Sequence, residues 1–368
     1  MIGPEAPLPA LAPEDLDWDT LFALAQRHRV TPSLAEGLRR HGIAAPPPQA
    51  ALIEAQCHAA ALDELAQAAT VMALCEALDQ SGIKAIILKG ISLSLQIHSR
   101  LGLRVSRDID LLVTPEDVPA ALALLAELDF APKDGVPADP ARLAVLLKRR
   151  KDIELQHAAK RQLVELHWRL FDNPRLMAGV GPAQAERVAL PMNLDCHVLP
   201  DALNLRYLAL HGCQHGWSRL KWLADFAALL SRLDPPARAQ LYHETGIADG
   251  RRALGQAMIL CEQLFALPLD PGLRSRILAD RRTRWLIGIA RQGLIACGTR
   301  ELEALRFGST VKNLSHYLIS ASPAYLLTEL RFDLADMSAV PAQSPWRKFG
   351  GAGRIAAWAG RRLSSQRR

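Results

Sequence analysis

The chain has 368 residues, 49% of them hydrophobic, and this length suffices for two or three structural units with their own cores. No apolar run reaches the roughly twenty residues that a membrane span needs, and the N-terminus lacks the basic-then-apolar order of a signal peptide, so we expect a globular, cytoplasmic protein without a transmembrane segment. The net charge is +6, but residues 346–368 hold seven Lys or Arg and no acid; subtracting these seven charges leaves −1, which excludes a uniformly basic nucleic-acid-binding surface.

Helices are predicted before the first strand. Apolar residues follow near-helical spacing from Asp15 to about Gly42, and Thr31-Pro32 supplies an N-cap and a first-turn proline for a second short helix. The stretch from Ala50 to Gln80 is rich in Ala and Leu, which predicts one long helix that ends at Ser81-Gly82. We therefore interpret residues 1–82 as a helical lead-in.

A turn suited to anion binding follows the lead-in. Residues 83–90 predict a buried strand that ends in glycine, and residues 91–95 can open a helix. A strand, a glycine turn and a helix N-terminus together point backbone N–H groups at an anion. Lys89 lies at this turn, where it could neutralise negative charge or simply be a solvated lysine at a strand end.

Two aspartates lie in the next predicted strand. Residues 107–113 read RDIDLLV, and because successive side chains alternate along a strand, Asp108 and Asp110 share one face. Neighbouring carboxylates repel each other unless a cation neutralises them, and their hard oxygens suit Mg²⁺ held jointly with substrate phosphates. The pattern therefore predicts a metal site.

A β-hairpin is predicted further along the chain. Residues 152–157 and 163–168 alternate in polarity and are separated by five residues, as in two antiparallel strands. With a helix over residues 118–128, these strands complete a core over residues 83–170 that contains a mixed sheet.

The hairpin carries two acids that could join the aspartate pair. Glu154 and Glu165 both compete for the place of a third carboxylate, and each could instead be an ordinary outward-facing strand residue. His167 shares a face with Glu165 because the two residues are two positions apart. It could orient a carboxylate, contact phosphate, help to line the substrate site or serve only a structural purpose.

In this order, the motifs resemble those of polymerase-beta-type nucleotidyltransferases: a Leu88-Lys89-Gly90 turn, Asp108-x-Asp110 on the next strand, and an acid between apolar neighbours at residues 164–168. The chain resembles more closely a bacterial family of uncharacterised nucleotidyltransferases, which has a Leu-Lys-Gly turn, an Arg four residues before Asp-Ile-Asp-Leu-Leu-Val, and a later acid-Leu-His-Trp. This resemblance covers roughly residues 16–230. The larger superfamily usually has Gly-Ser in place of Lys89-Gly90, and the closer family shares that departure.

The resemblance implies an enzyme that uses Mg²⁺ (or Mn²⁺) to move a nucleoside monophosphate from a nucleoside triphosphate to an unidentified acceptor, namely a small molecule, peptide, protein or tRNA end. The implied catalytic and metal-binding residues are Asp108, Asp110 and Glu165, with Glu165 preferred to Glu154. The implied nucleotide-binding residues are Lys89, Gly90, Ser92 and Arg104. The alternative is a non-catalytic nucleotide-binding or scaffold protein that retains the fold, which the missing Gly-Ser hydroxyl favours and the three retained acids oppose.

The rest of the chain is predicted to be mostly helical. Residues 171–200 contain four prolines and are interpreted as a linker or lid, and residues 201–335 as a helical C-terminal domain. In one unbroken helix, four polar or aromatic residues would lie within about 80° of one another and form a wall that could line the substrate site: His211, His215, Trp222 and Asp225. A buried hydrogen-bonded network and a zinc site are the alternatives there.

The overall prediction is an α+β fold in which a small mixed sheet lies between two helical regions and helices predominate. Residues 336–368 form a basic, Gly-containing tail that we expect to be flexible. Contact of this tail with nucleic acid or a membrane surface is the less favoured alternative, because its glycines weaken an amphipathic helix.

Overall fold

The computed structural model describes residues 13–135, 139–301 and 308–338. The chain divides into two compact units, one comprising residues 1–207 and 228–232, the other residues 208–227 and those from 233 onward. Helices predominate among the described residues, and a seven-stranded mixed sheet lies in the first unit. The predicted α+β class with mostly helical content is therefore confirmed.

The sheet places the aspartate strand at its centre. Its seven strands are β1 (Ile86–Ile87), β2 (Asp108–Leu112), β3 (Phe130–Pro132), β4 (Asp152–His157), β5 (Leu163–His167), β6 (Glu186–Leu190) and β7 (Leu194–Val198). Their spatial order is β3-β4-β5-β2-β1-β7-β6. Strand β2 runs parallel to β5 and β1 runs parallel to β7, whereas the other neighbouring pairs are antiparallel. The predicted hairpin is the β4–β5 pair.

Among the described residues, six helices lie entirely within the first unit: α1 (Trp18–His28), α2 (Thr31–Arg40), α3 (Pro47–Gln80), α4 (Ile91–His98), α5 (Val118–Glu127) and α6 (Pro140–Arg149). The predicted long helix is confirmed as α3, which begins three residues before the predicted start because proline is tolerated in the first turn of a helix. The predicted helix over residues 118–128 is confirmed as α5.

Alternation along β2 and β5 separates a buried apolar face from a polar face. Ile109 and Leu111 of β2 lie in one core cluster with Val164 and Leu166 of β5, and each is at most 2% exposed. The same cluster includes apolar residues of α3 and α5. Burying these branched side chains anchors both strands, and the residues between them are directed to the opposite face.

Residues 171–200 differ from the prediction of a linker or lid. Their second half forms β6 and β7, and β7 continues the main sheet because Ile86 of β1 pairs with His197. The prolines in this stretch lie outside the two strands, and Pro191 begins the tight connection in which Met192 and Asn193 have positive φ angles. Prolines that mark the ends of short strands had suggested an irregular segment.

Helix α7 (Asp201–Gln214) spans the boundary between the two units. The later helices are α8 (Leu220–Leu230), α9 (Pro235–Glu244), α10 (Arg251–Phe265), α11 (Pro271–Ala279), α12 (Arg281–Arg291), α13 (Gly308–Ile319) and α14 (Pro323–Ser338). Helices α11 and α12 are separate, because the Asp280 carboxylate accepts the N–H of Arg282 at 2.8 Å and caps a new helix.

Most of the predicted basic tail, residues 339–368, lies outside the described residues. Within the described part of the chain, no helix combines the length and the apolar character that crossing a membrane requires.

The buried face of β2 generates a stability prediction. Leu111→Ala should lower the free energy of unfolding by about 2–5 kcal/mol, because it leaves a cavity at a residue that is 0% exposed. The matched control is Leu65→Ala on α3, where the side chain is 49% exposed and the change should stay within about 0.5 kcal/mol. Urea unfolding of both variants measures the difference, and equal effects would contradict the described core.

Candidate active site

Three polar side chains converge on the face of the sheet opposite the core. Asp110 of β2 pairs with Glu165 of the parallel strand β5, and His167 follows two residues later. One ligand atom from each of these three side chains lies within 4.8 Å of the other two. Carboxylate oxygens and a histidine nitrogen at such distances can hold a divalent metal ion.

One carboxylate oxygen of Asp110 has polar partners within the protein, and the other has no hydrogen-bond partner. Its side chain is 1% exposed; Oδ1 lies 3.0 Å from Nζ of Lys89 and 3.3 Å from Nε2 of His167. Oδ2 is buried and has no hydrogen-bond partner. Burial favours a raised pKa, but the Lys89 charge and the His167 hydrogen bond outweigh it and hold the pKa of Asp110 well below its usual value. The carboxylate is therefore ionised, and Oδ2 is a ready ligand for a cation.

Lys89 supplies the positive charge that balances Asp110. Its side chain is 13% exposed, and the hydroxyl of Tyr207 also interacts with its ammonium group. Burial favours a lowered pKa, but the negative charge of Asp110 outweighs it and raises the pKa of Lys89 above its ordinary value. Sequence reasoning missed Tyr207, because no local pattern links a helical tyrosine to a strand end more than a hundred residues earlier.

Gly90 adopts a conformation that a side chain would strain. Its φ is 70° and its ψ is −128° at the N-cap of α4. A Cβ atom there would lie 3.4 Å from Oγ of Ser106 and 3.5 Å from the backbone oxygen of Asp108. Glycine therefore lets the chain reverse sharply beside the start of β2.

The other two predicted nucleotide-binding residues, Ser92 and Arg104, form side-chain hydrogen bonds to the backbone at or next to the turn. The Ser92 hydroxyl is buried and lies 3.2 Å from the backbone oxygens of both Ile87 and Lys89. Arg104 is buried, and its Nη1 donates to the backbone oxygen of Gly90 at 3.4 Å. Both side chains thus bond to the turn itself, so their direct contact with a nucleotide stays a prediction.

Glu64 of α3 joins this turn to the helical lead-in, and sequence reasoning missed it. Its buried carboxylate accepts the N–H of Gly102 and lies close enough to Arg104 for the two charges to interact. Burial raises the pKa of Glu64 despite these partners. An acid on the inward side of an Ala/Leu-rich helix is the signal that could have identified it.

His167 lies between carboxylates. Its Nε2 is 3.3 Å from Oδ1 of Asp110 and 3.3 Å from Oε2 of Glu165, while Nδ1 faces Oδ2 of Asp152 at 3.7 Å. Burial favours a lowered pKa, but the hydrogen bonds to Asp110 and Glu165 outweigh it and raise the pKa of His167. The ring therefore lies close to two carboxylates, whereas its role in orienting them, contacting phosphate or lining a substrate site stays a prediction.

The two remaining acids lie outside the cluster of Asp110, Glu165 and His167. Asp108 is half-buried at the start of β2, and its charge helps raise the pKa of Lys89. Glu154 forms an ion pair with Lys133 at 3.1 Å, in which both side chains are about half exposed. The structure thus brings Glu165 to Asp110 and leaves Glu154 paired elsewhere, whereas the role of Asp108 as a metal ligand stays a prediction.

The predicted polar wall lies entirely in the second unit, which contains His211, His215, Trp222 and Asp225. The predicted helix is interrupted, since α7 ends at Gln214 and α8 begins at Leu220. The indole of Trp217, which lies between the two helices, packs against Gly212. The rings of His211, His215 and Trp222 nevertheless cluster, with centroids 4.5–5.3 Å apart. Asp225 is buried. Their role in lining a substrate site stays a prediction.

The conformation of Gly90 generates the second prediction. Gly90→Ala should lower the free energy of unfolding by about 1–3 kcal/mol, because alanine must adopt a strained φ/ψ combination. Gly37→Ala in α2 is the matched control; no atom lies within 4 Å of its added Cβ, and helix propensity should make it neutral or stabilising by up to about 1 kcal/mol. Chemical unfolding measures both changes, and a neutral Gly90→Ala would show that the turn tolerates a side chain.

Comparison with known proteins supports the resemblance that the motifs suggested. No curated protein matches the chain. The model of one protein family, described as uncharacterised nucleotidyltransferase, matches residues 14–266. This match covers the lead-in helices, the entire sheet and the cluster around Asp110. The chain therefore belongs to the uncharacterised nucleotidyltransferase family.

Proposed function

We propose that this protein is a metal-dependent nucleotidyltransferase that transfers a nucleoside monophosphate from a nucleoside triphosphate to an acceptor and releases pyrophosphate. The observation that carries the proposal is that Oδ2 of ionised Asp110 is buried and has no hydrogen-bond partner. This oxygen belongs to a cluster that also contains Glu165 and His167. A buried carboxylate oxygen without a partner is costly unless a ligand satisfies it.

The side chains fit a divalent ion with hard ligands. Asp110 and Glu165 supply carboxylate oxygens, which suit Mg²⁺, and Asp108 lies two residues from Asp110. His167 offers a ring nitrogen, which suits Mn²⁺. When bound, such ions neutralise the charge of the triphosphate and make an acceptor hydroxyl a better nucleophile.

The residues of the turn have complementary tasks. Lys89 and the N–H groups that begin α4 bind phosphate oxygens, and Gly90 lets the backbone approach them closely. Arg104 holds this turn by bonding to the backbone oxygen of Gly90, and Glu64 of the helical lead-in supports Arg104. An acceptor oxygen attacks the α-phosphorus, the bond to the β-phosphate breaks, and the proton of the acceptor passes to a carboxylate of the site.

The acceptor belongs to one of four classes: a small molecule, a peptide, a protein or a tRNA end. The near-neutral charge of residues 1–345 disfavours a long nucleic-acid substrate. We place the reaction in the cytoplasm, where nucleoside triphosphates are available.

The direct test uses triphosphates labelled at the α-phosphate, with Mg²⁺ or Mn²⁺ and a panel of the four acceptor classes. Asp110→Asn and Glu165→Gln should each lower transfer at least about 100-fold, because each removes a ligand charge with little change in volume. Glu154→Gln is the matched control and should retain most of the activity, since Glu154 pairs with Lys133 instead. Asp108→Asn should also abolish transfer, because it removes a charge from the proposed metal site.

Transfer at the wild-type rate by Asp110→Asn would contradict the proposal. A larger loss for Glu154→Gln than for Glu165→Gln would show that the other strand of the hairpin supplies the third acid. Nucleotide binding without transfer to any acceptor class would favour the alternative of a non-catalytic nucleotide-binding or scaffold protein.

A further inference from the structure

Lys89 already occupies the position of a cation at Asp110. Its Nζ lies 3.0 Å from Oδ1 of Asp110, and both side chains are largely buried. His167 donates to the same oxygen, so Oδ1 carries two partners while Oδ2 carries none. Within the cluster, the positive charge that a metal ion would bring is thus supplied by the protein itself.

This arrangement sets two requirements against each other. A buried carboxylate needs a counter-charge when no ion is bound, and Lys89 meets that requirement. A divalent ion on Asp110 would then lie within a few ångströms of the ammonium group, where two positive charges repel strongly because little water screens them. The ammonium group of Lys89 and a divalent ion therefore compete for the carboxylate of Asp110.

The Lys89 side chain also has an alternative position, beside the N-terminus of α4. Its residue immediately precedes Gly90, at the turn where the N–H groups of α4 begin. A lysine side chain has a flexible four-carbon stem, so its ammonium group can turn toward phosphates bound at this turn without movement of the backbone. Of its present partners, Tyr207 is a neutral hydroxyl and holds it less firmly than the carboxylate does.

We propose that Lys89 is an exchangeable counter-cation: it neutralises Asp110 in the metal-free protein, and a divalent ion displaces it toward the phosphates of the triphosphate. This inference rests on the proposed function and adds to it a coupling between the two ligands. Metal binding releases the ammonium group for the nucleotide, and nucleotide binding draws that group away from the metal site. By thermodynamic linkage, each ligand then raises the affinity for the other by the same factor.

The first test measures Mn²⁺ binding to the full chain by titration calorimetry in the absence of nucleotide. Lys89→Met should bind Mn²⁺ at least about 10-fold more tightly than wild type, because the competing charge is gone. Arg107→Met is the matched control; it removes an equal charge next to Asp108 from an exposed side chain outside the cluster, and it should change the affinity less than about 2-fold. Unchanged or weaker binding by Lys89→Met would overturn the inference.

The second test uses wild-type protein, so it decides the matter even if Lys89→Met fails to fold. Acetylation by an N-hydroxysuccinimide ester, quantified by peptide mass spectrometry, reports how accessible each lysine is. Saturating Mg²⁺ should speed acetylation of Lys89 several-fold, and a non-hydrolysable triphosphate added with Mg²⁺ should slow it again. Lys133, which pairs with exposed Glu154, is the internal control and should not respond. A Lys89 rate that Mg²⁺ leaves unchanged would overturn the inference.

Asp110→Asn separates failure of this inference from failure of the proposed function. Mn²⁺ binding that is lost in Asp110→Asn but does not respond to Lys89→Met overturns only the counter-cation. Absence of Mn²⁺ binding to wild type, with or without triphosphate, overturns the proposed function and the counter-cation together. Binding that requires Asp110 and tightens without Lys89 supports both.

Discussion

The site depends on one ionised carboxylate buried at the centre of a sheet. Asp110 is 1% exposed, and a charge in that environment persists only with close partners. Lys89 and His167 provide them, each from a different strand or strand end. Removing one partner from a buried ion pair typically costs about 3–5 kcal/mol, because the other charge is then left uncompensated. The conformation of the turn and the pairing of β2 with β5 therefore both serve Asp110.

The surrounding elements follow from that constraint. Parallel pairing of β2 and β5 sets Glu165 beside Asp110, and the alternation that buries Ile109 and Leu111 directs the acids to the opposite face. On the other side of β2, the short strand β1 ends at Ile87, and Lys89 follows two residues later, immediately before Gly90. Long helix α3 then packs behind the sheet, and its Glu64 bonds to the segment that carries Arg104. The helical lead-in thereby contributes to the shape of the turn as well as to the core.

The sequence predicts those features that depend on neighbouring residues. Helix α3, the β4–β5 hairpin and the shared face of Glu165 and His167 all follow from local periodicity. Contacts between residues far apart in sequence were missed where no family motif links them, because local periodicity does not indicate which distant residues meet. The bonds of Lys89 to Asp110 and Tyr207, and of Glu64 to Gly102, are of this kind. Strands β6 and β7 were missed for a different reason, because the prolines near their ends are also typical of an irregular segment.

The central claim is that a divalent ion binds at Asp110 and takes the place of Lys89. The most direct measurement is a crystal structure of the full chain with Mn²⁺ and a non-hydrolysable nucleoside triphosphate, in which anomalous scattering locates the manganese. We predict a manganese peak in contact with Asp110 and Glu165, with the Lys89 ammonium moved from Asp110 to a phosphate oxygen. A triphosphate bound without manganese at Asp110, with Lys89 still about 3.0 Å from that carboxylate, would contradict the account.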